Sequence, residues 1–170
     1  MTKKTRVATV WLDGCSGCHM SLLDIDEALL ALAGKIDLVY GPLVDAQEFP
    51  KDVDVTIVEG AVSSQDDLEK ARLIRARSKL VVALGDCAVT SNVPAMRNNI
   101  PVGKLLEGIY GTAPVDGVPP LLKHAVPVHD AIKVDLHVPG CPPPAKAIAF
   151  VLGELLEGRM PELAGKVRFG

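Results

Sequence analysis

The chain has 170 residues, 48% of them hydrophobic, and a formal net charge of -3. This length is enough to bury one core but short for two, so we expect one domain over residues 1–170. Lys and Arg are scattered rather than gathered in runs, which argues against a nucleic-acid partner. No apolar stretch approaches the roughly 20 residues of a membrane span and no signal peptide is evident, so we expect a cytoplasmic protein without a membrane partner.

Hydrophobic runs predict five β-strands that alternate with helical segments. The predicted strands cover residues 5–12, 36–40, 53–58, 80–84 and 134–138. The predicted helices cover residues 19–33, 64–77, 87–98 and 145–157. Because the strands are nearly continuous in apolar residues, they are typical of a parallel sheet covered on both faces. We therefore predict an α/β, flavodoxin-like doubly wound fold with strand order 2-1-3-4-5.

Residues 101–127 interrupt this pattern, since prolines and glycines recur too often for regular structure to persist. The segment nevertheless contains two leucine pairs, Leu105 with Leu106 and Leu121 with Leu122. Apolar side chains in a long irregular segment favour packing against another protein. The mean hydropathy of +0.26, which is high for a free-standing domain, points the same way. We therefore predict an irregular, partner-facing segment here.

Four cysteines follow the predicted strands at the ends where those strands leave the sheet. They are Cys15 and Cys18 after the first strand, Cys87 after the fourth and Cys141 after the fifth. The carboxyl ends of parallel strands share one edge, so we expect the four thiols to converge on a shared metal site there. Thiolates suit iron-sulfur clusters, and tetrahedral zinc is the main rival. Taken singly, the cysteines are also compatible with a thioredoxin-like dithiol or with buried structural thiols.

Four blocks of sequence around these cysteines resemble a known family. They are residues 11–21 (WLDGCSGCHMS), 58–61 (VEGA), 85–89 (GDCAV) and 139–143 (PGCPP). In content and order they resemble the small subunit of nickel-iron hydrogenases, and most of all the soluble, NAD-reducing (bidirectional) HoxY type. The resemblance covers essentially the whole chain.

The resemblance implies an electron-transfer subunit with one 4Fe-4S cluster at the carboxyl edge of the sheet. The implied cluster ligands are Cys15, Cys18, Cys87 and Cys141. The implied partners are a hydrogenase large subunit, which holds the nickel-iron centre and splits hydrogen, and diaphorase subunits, which hold FMN and reduce NAD. The chain is then part of an H2:NAD+ oxidoreductase and relays electrons without breaking bonds itself. Membrane-bound relatives add a twin-arginine signal and a further cysteine-bearing domain, which this chain lacks, so we expect only one cluster.

Two further residues lie within these blocks. Glu59 matches a family glutamate near the cluster, which implies hydrogen bonding or proton movement; a loop or capping carboxylate is the alternative. His19 follows Cys18 and is placed to donate a hydrogen bond to a cluster sulfur. The other histidines are expected to be surface or structural residues, and no histidine is assigned as a ligand.

Other functions remain open from the sequence. One is an iron-sulfur subunit of a complex I-like quinone oxidoreductase, although such subunits carry adjacent cysteines where this chain has Ser16 and Gly17 between them. Another is a flavin-binding module, although no Ser- and Thr-rich phosphate loop follows the first strand. A zinc-stabilised interaction protein is the third.

Overall fold

The computed structural model describes residues 4–113 and 116–170, and its centre is a five-stranded parallel sheet. The strands are β1 (Thr5–Trp11), β2 (Ile36–Tyr40), β3 (Val53–Glu59), β4 (Val62–Ser64), β5 (Ser78–Leu84), β6 (Leu121–Val126) and β7 (Leu136–Val138). The parallel sheet has the order β2-β1-β3-β5-β7, and β4 and β6 form a separate antiparallel pair. Counted along the chain, the five parallel strands follow the order 2-1-3-4-5. The predicted flavodoxin-like fold is confirmed.

Helices cover both faces of this sheet. They are α1 (Gly17–Leu23), α2 (Ala28–Ala33), α3 (Gln65–Arg77), α4 (Asp86–Thr90), α5 (Val102–Tyr110), α6 (Val128–Ala131) and α7 (Ala145–Leu156), with a 3-10 helix over Val93–Asn99. On one face, Ile74, Val89 and Val128 from α3, α4 and α6 enter the core. On the other face, Cys18 and Ile148 from α1 and α7 do so. In the described part of the chain, no helix has the length and apolarity that crossing a bilayer requires.

Both ends of α3 are fixed by side chains. The Ser64 hydroxyl accepts a hydrogen bond from the Asp67 N–H at 3.1 Å, and the Asp67 carboxylate accepts one from the Ser64 N–H at 2.9 Å. The two bonds form a capping box, in which the side chains at the start of the helix satisfy backbone N–H groups that lack a partner within it. At the other end, Arg75 donates to the Ser78 carbonyl at 2.5 Å and to Asp135 at 2.6 Å. These contacts tie α3 to β4, to β5 and to the turn before β7.

The prediction of one helix over 19–33 is wrong, because the segment forms α1 and α2 with a break between them. The chain leaves helical geometry at Asp26, whose φ is +54°. Aspartate tolerates the left-handed region better than most residues do. The break allows Ile25 to be buried, while no residue of α2 is buried.

The helix predicted over 87–98 is also divided. α4 ends at Thr90 and the 3-10 helix begins at Val93, because Ser91 and Asn92 between them have positive φ angles of +66° and +30°. The fifth parallel strand is shorter than predicted and begins at Leu136.

The segment 101–127 contains regular structure, so the prediction of an irregular segment is corrected. α5 begins directly after Pro101, at a position where a helix needs no hydrogen-bonded N–H. β6 pairs with β4, with Val126 opposite Val62. Residues 114 and 115 of the predicted segment lie outside the described residues. The role of this segment in facing a partner stays a prediction.

Candidate cysteine site

All four cysteines lie at the carboxyl edge of the parallel sheet. Cys15 and Cys18 lie between β1 and the first turn of α1, Cys87 lies in α4 just after β5, and Cys141 lies in the turn after β7. Each is a free thiol; Cys18 is buried, Cys87 is half-buried, and the other two are exposed. Three loops that are distant in sequence therefore bring four possible metal ligands to one edge of the sheet.

The thiols are close enough to affect one another's ionisation. Burial raises the pKa of the Cys18 thiol, and four neighbouring negative charges raise it further: Glu59, Cys87, Cys15 and Cys141. Burial also raises the pKa of Cys87, as do the charges of Cys141 and Cys15. Because each thiolate disfavours ionisation of the others, the group needs a positive partner to be held in the ionised form. A metal centre supplies that positive charge.

Glu59 fixes the first cysteine loop from the end of β3. Its side chain is 2% exposed, and its carboxylate accepts hydrogen bonds from the Cys18 N–H at 3.3 Å and the His19 N–H at 2.8 Å. The Nδ1 atom of His19 contacts the same carboxylate. The Nε2 atom of His19 is buried and, within the described residues, has no hydrogen-bond partner. Glu59 thus bonds to the loop backbone, and the predicted contact of His19 with a cluster sulfur stays a prediction.

Glycines after β3 and after β5 leave room for the cysteine loops to approach closely. A Cβ atom added to Gly85 would lie 2.2 Å from the Cys18 sulfur, and one added to Gly60 would lie 2.8 Å from the carbonyl carbon of Leu12. Both glycines also have positive φ, +84° and +91°, which residues with a Cβ rarely adopt. Glycine is therefore needed at positions 85 and 60 for the site to form.

An apolar cavity of about 530 Å³ lies beside the first cysteine loop. Trp11, Ser16, His19 and Met20 line the end nearest the cysteines, and mostly apolar side chains of α1, α2, the neighbouring strands and the segment after β2 line the rest. Trp11 is 46% exposed and Met20 is 56% exposed. The surface next to the cysteines is thus unusually apolar for one that faces water.

Comparison with known proteins places this site in a family. The chain matches the family described as NADH ubiquinone oxidoreductase, 20 Kd subunit, over residues 15–155, a span that includes all four cysteines. The chain belongs to this family. It is 35% identical over 176 residues to the NAD-reducing hydrogenase HoxS subunit delta of Cupriavidus necator, with 96% of the chain and 84% of that subunit covered.

A solved structure supports the same placement within the family. The chain aligns with a protein in the crystal structure of NAD+-reducing nickel-iron hydrogenase in the H2-reduced state, with a TM-score of 0.94 and 37% identity. The alignment covers 99% of this chain and 100% of that one. The resemblance to the small subunit of NAD-reducing nickel-iron hydrogenases is confirmed. A nickel-iron-selenium hydrogenase of Desulfomicrobium baculatum, at 22% identity and a TM-score of 0.61, shares the fold.

Other relatives are similar as well but longer. One is a component of the vhu F420-non-reducing hydrogenase of Methanocaldococcus jannaschii, which is 38% identical over 98% of the chain. The chain spans 61% of the length of that relative.

Two further polar residues join the cysteine loops, although the sequence pattern assigns them no role. Asp86 is 4% exposed; its carboxylate accepts the Gly140 N–H at 2.6 Å, and its own N–H donates to the Gly140 carbonyl at 2.8 Å. The buried Ser21 hydroxyl donates to the Pro143 carbonyl at 2.6 Å. The only signal for Asp86 was its place between Gly85 and Cys87, and nothing in the sequence indicates its distant partner.

The remaining histidines lie elsewhere. His124, His129 and His137 are exposed, and the rings of the last two meet edge to face at 5.4 Å. Partial burial and the neighbouring His129 lower the pKa of His137. These three histidines lie on or beside β6, α6 and β7, outside the three cysteine loops.

Proposed function

We propose that this hydrogenase small subunit holds one 4Fe-4S cluster on Cys15, Cys18, Cys87 and Cys141. We further propose that it relays electrons from the nickel-iron centre of a large subunit to a diaphorase unit that reduces NAD. The observation that carries the proposal is the convergence of four free thiols from three loops at one edge of the sheet.

The donor set and the space around it fit a cluster of this kind. Four cysteine thiolates are the ligand set of a 4Fe-4S cluster. The glycine at position 85 leaves the Cys18 sulfur unobstructed on the inner side of the site. Zinc also binds four thiolates but brings no sulfide, so analysis of the purified chain separates the two groups.

The residues of the chain position the ligands. A bound cluster supplies a centre that takes up and releases one electron at a time. Glu59 holds the loop of Cys15 and Cys18, and Asp86 joins the loops of Cys87 and Cys141. Because these carboxylates accept backbone N–H groups, the loops keep their geometry when the charge of the site changes. Ligands that move little lower the reorganisation energy of each electron transfer.

The apolar surface beside the site supports docking of a partner. Trp11 and Met20 lie next to the first cysteine loop, and Val93, which is 61% exposed, follows the helix that carries Cys87. Covering these side chains excludes water from the exposed thiols and lets a donor approach closely. We propose that the large subunit covers this edge and that the complex is cytoplasmic, where thiols remain reduced.

NAD is proposed as the final acceptor because of how the relatives align. The chain in the NAD+-reducing hydrogenase structure matches this one over its full length. The F420-non-reducing relatives extend well beyond the chain. The second candidate is an acceptor other than NAD. It would be reached through segments that those longer relatives have beyond the part aligned with this chain.

The two remaining alternatives are distinguished by the acceptor and by the bound group. A complex I-like quinone oxidoreductase subunit falls in the same family, and its electron acceptor distinguishes it from the proposal by experiment. A flavin-binding module would be yellow and free of iron and sulfide. An assay of quinone reduction against NAD reduction, performed on the native complex, separates the acceptors.

The direct test of the cluster is the composition of the purified chain and the effect of Cys141→Ala. We expect about four iron and four acid-labile sulfide ions per chain. In the native complex, Cys141→Ala is expected to lower hydrogen-dependent NAD reduction by more than the roughly 10- to 100-fold that loss of an outer-shell partner costs, because a ligand itself is lost without a replacement. Lys146→Ala, on the exposed side of α7, serves as the control and should retain activity. One zinc per chain without sulfide, or full activity of Cys141→Ala, would contradict the proposal.

A further inference from the structure

The turn between α4 and the 3-10 helix has an unusual backbone beside the cysteines. Ser91 has a φ of +66°, and Asn92 has a φ of +30° with a ψ of -119°. Residues with a Cβ rarely adopt such angles, and two in succession are uncommon. Main-chain hydrogen bonds hold the turn: the Ser91 N–H donates to the Cys87 carbonyl at 3.1 Å, and the Ala95 N–H to the Asn92 carbonyl at 3.1 Å. Strained backbone of this kind occurs often at functional sites.

This turn directs a hydrogen-bond donor to one of the thiols. The Nδ2 atom of Asn92 lies 3.7 Å from the sulfur of Cys141. The turn directly follows the helix that carries Cys87, so it links the loop of Cys87 to the loop of Cys141. A relaxed helix through Ser91 and Asn92 would continue α4 and would not form this turn.

We infer that the turn formed by Ser91 and Asn92 raises the reduction potential of the proposed cluster, with Asn92 acting as a side-chain donor to Cys141. The inference rests on the proposed function, since it requires the cluster. Hydrogen bonds to ligating sulfurs withdraw negative charge from them and therefore favour the reduced state. Asparagine suits the position because its amide donates without adding charge and because it tolerates positive φ. Asn92 is thus a positioning and tuning residue and not a ligand.

Glu59 and Asp86 act differently from Asn92. Their carboxylates accept hydrogen bonds from the backbone of the cysteine loops and donate none to sulfur. Changes at these two residues are expected to alter loop geometry and iron content. Changes at Asn92 are expected to alter the potential at constant iron content. Because of this difference, an effect of Asn92 on the potential can be measured separately from an effect on loop geometry and iron binding.

The test is a potentiometric titration of the iron-loaded full chain, followed by electron paramagnetic resonance of the reduced cluster. Asn92→Gly removes the donor and suits the positive φ, while Asn92→Asp keeps the shape and replaces the donor with a negative charge. Both are expected to lower the midpoint potential, and Asn92→Asp more strongly. A tenfold change in the ratio of reduced to oxidised cluster corresponds to about 59 mV for a one-electron couple. Asn99→Asp, which adds the same charge at an exposed position, is the matched control.

Iron and acid-labile sulfide are measured on every sample, so that the two proposals fail separately. Unchanged potentials in both Asn92 variants, with full iron content, overturn the inference and leave the proposed function intact. Absence of iron and sulfide from the unmodified chain overturns both. An equal shift in Asn99→Asp and Asn92→Asp reflects general charge and overturns the specific role of Asn92. If Asn92→Gly fails to fold, Asn92→Asp carries the comparison, because it preserves the side-chain volume.

Discussion

Glu59 is the residue on which the first cysteine loop depends. It lies where β3 leaves the sheet, and its buried carboxylate meets two backbone N–H groups and the Nδ1 atom of His19. A buried carboxylate is tolerated only when its oxygens are well satisfied by donors. The loop supplies those donors, and in return the carboxylate fixes the path of the chain from Cys18 to His19. Glu59 therefore forms its hydrogen bonds with the backbone of the loop.

Glu59→Gln is expected to destabilise the chain and to loosen this loop. Glutamine has one acceptor oxygen and a donating NH2 group, so one loop N–H that now faces a carboxylate oxygen would face a donor instead. Leaving a buried donor unsatisfied costs about 1–3 kcal/mol. The measurement is the urea midpoint of the iron-loaded chain, together with its iron content. Glu107→Gln, at an exposed position of α5, is the control, and equal midpoints for the two variants would contradict this role.

The role of a site residue could be predicted from the sequence where its side-chain chemistry was distinctive by itself. The cysteines stood out because soft ligands are rare and because each followed a predicted strand. Asp86 was missed, since its importance comes from burial and from a bond to Gly140, which is 54 residues away along the chain. Asn92 was missed for the same reason, because its contact with Cys141 depends on two positive φ angles that no local pattern announces.

At the scale of elements, strands were predicted better than helices. β1, β3 and β5 each contain a run of buried, mostly apolar residues, so their hydrophobic runs mark them strongly. The helix predicted over 19–33 failed because apolar spacing continued through Asp26, where the backbone turns. The prediction for segment 101–127 failed in the opposite way, because it missed regular structure that is present. Prolines near the middle of the segment concealed a helix on one side and a strand on the other. Short elements that pair only with each other, such as β4 and β6, carry too few residues for a pattern.

At the start of α3, the capping box makes a prediction about stability. Ser64→Ala removes the hydroxyl that accepts the Asp67 N–H, and the helix then begins with an unsatisfied donor. We expect a loss of about 1 kcal/mol in the free energy of unfolding, which is typical for an N-cap serine. Urea denaturation followed by circular dichroism measures it. Gln65→Ala, one residue later, should cost much less, because its side chain bonds to Glu69 at the surface.

Across the whole molecule, the sheet and the site are stabilised by different means. The sheet is held by two apolar clusters, one on each face, and needs no metal to be buried. The three cysteine loops are short, carry exposed thiols at Cys15 and Cys141, and are joined by a few hydrogen bonds, including that of Ser21 to Pro143. A cluster bound to all three loops would connect segments that span most of the chain. Removal of the cluster should therefore destabilise the loops at the edge of the sheet more than the strands at its centre.

Removal of the cluster is thus expected to loosen the three loops while the sheet stays folded. A group that binds only the folded state stabilises that state, and metal sites couple ligand loops to folding in this way. Hydrogen exchange on the iron-loaded and the chelator-treated chain should show faster exchange at residues 13–19, 85–92 and 139–144. Exchange in β1, β3 and β5 should change little, and the melting temperature should fall.

Repeating the treatment on Cys141→Ala, which is already short of a ligand, should give a smaller difference between the two samples. Equal loss of protection in the sheet and the loops would show instead that the whole fold depends on the metal, and unchanged protection in the loops would show that the metal does not join them.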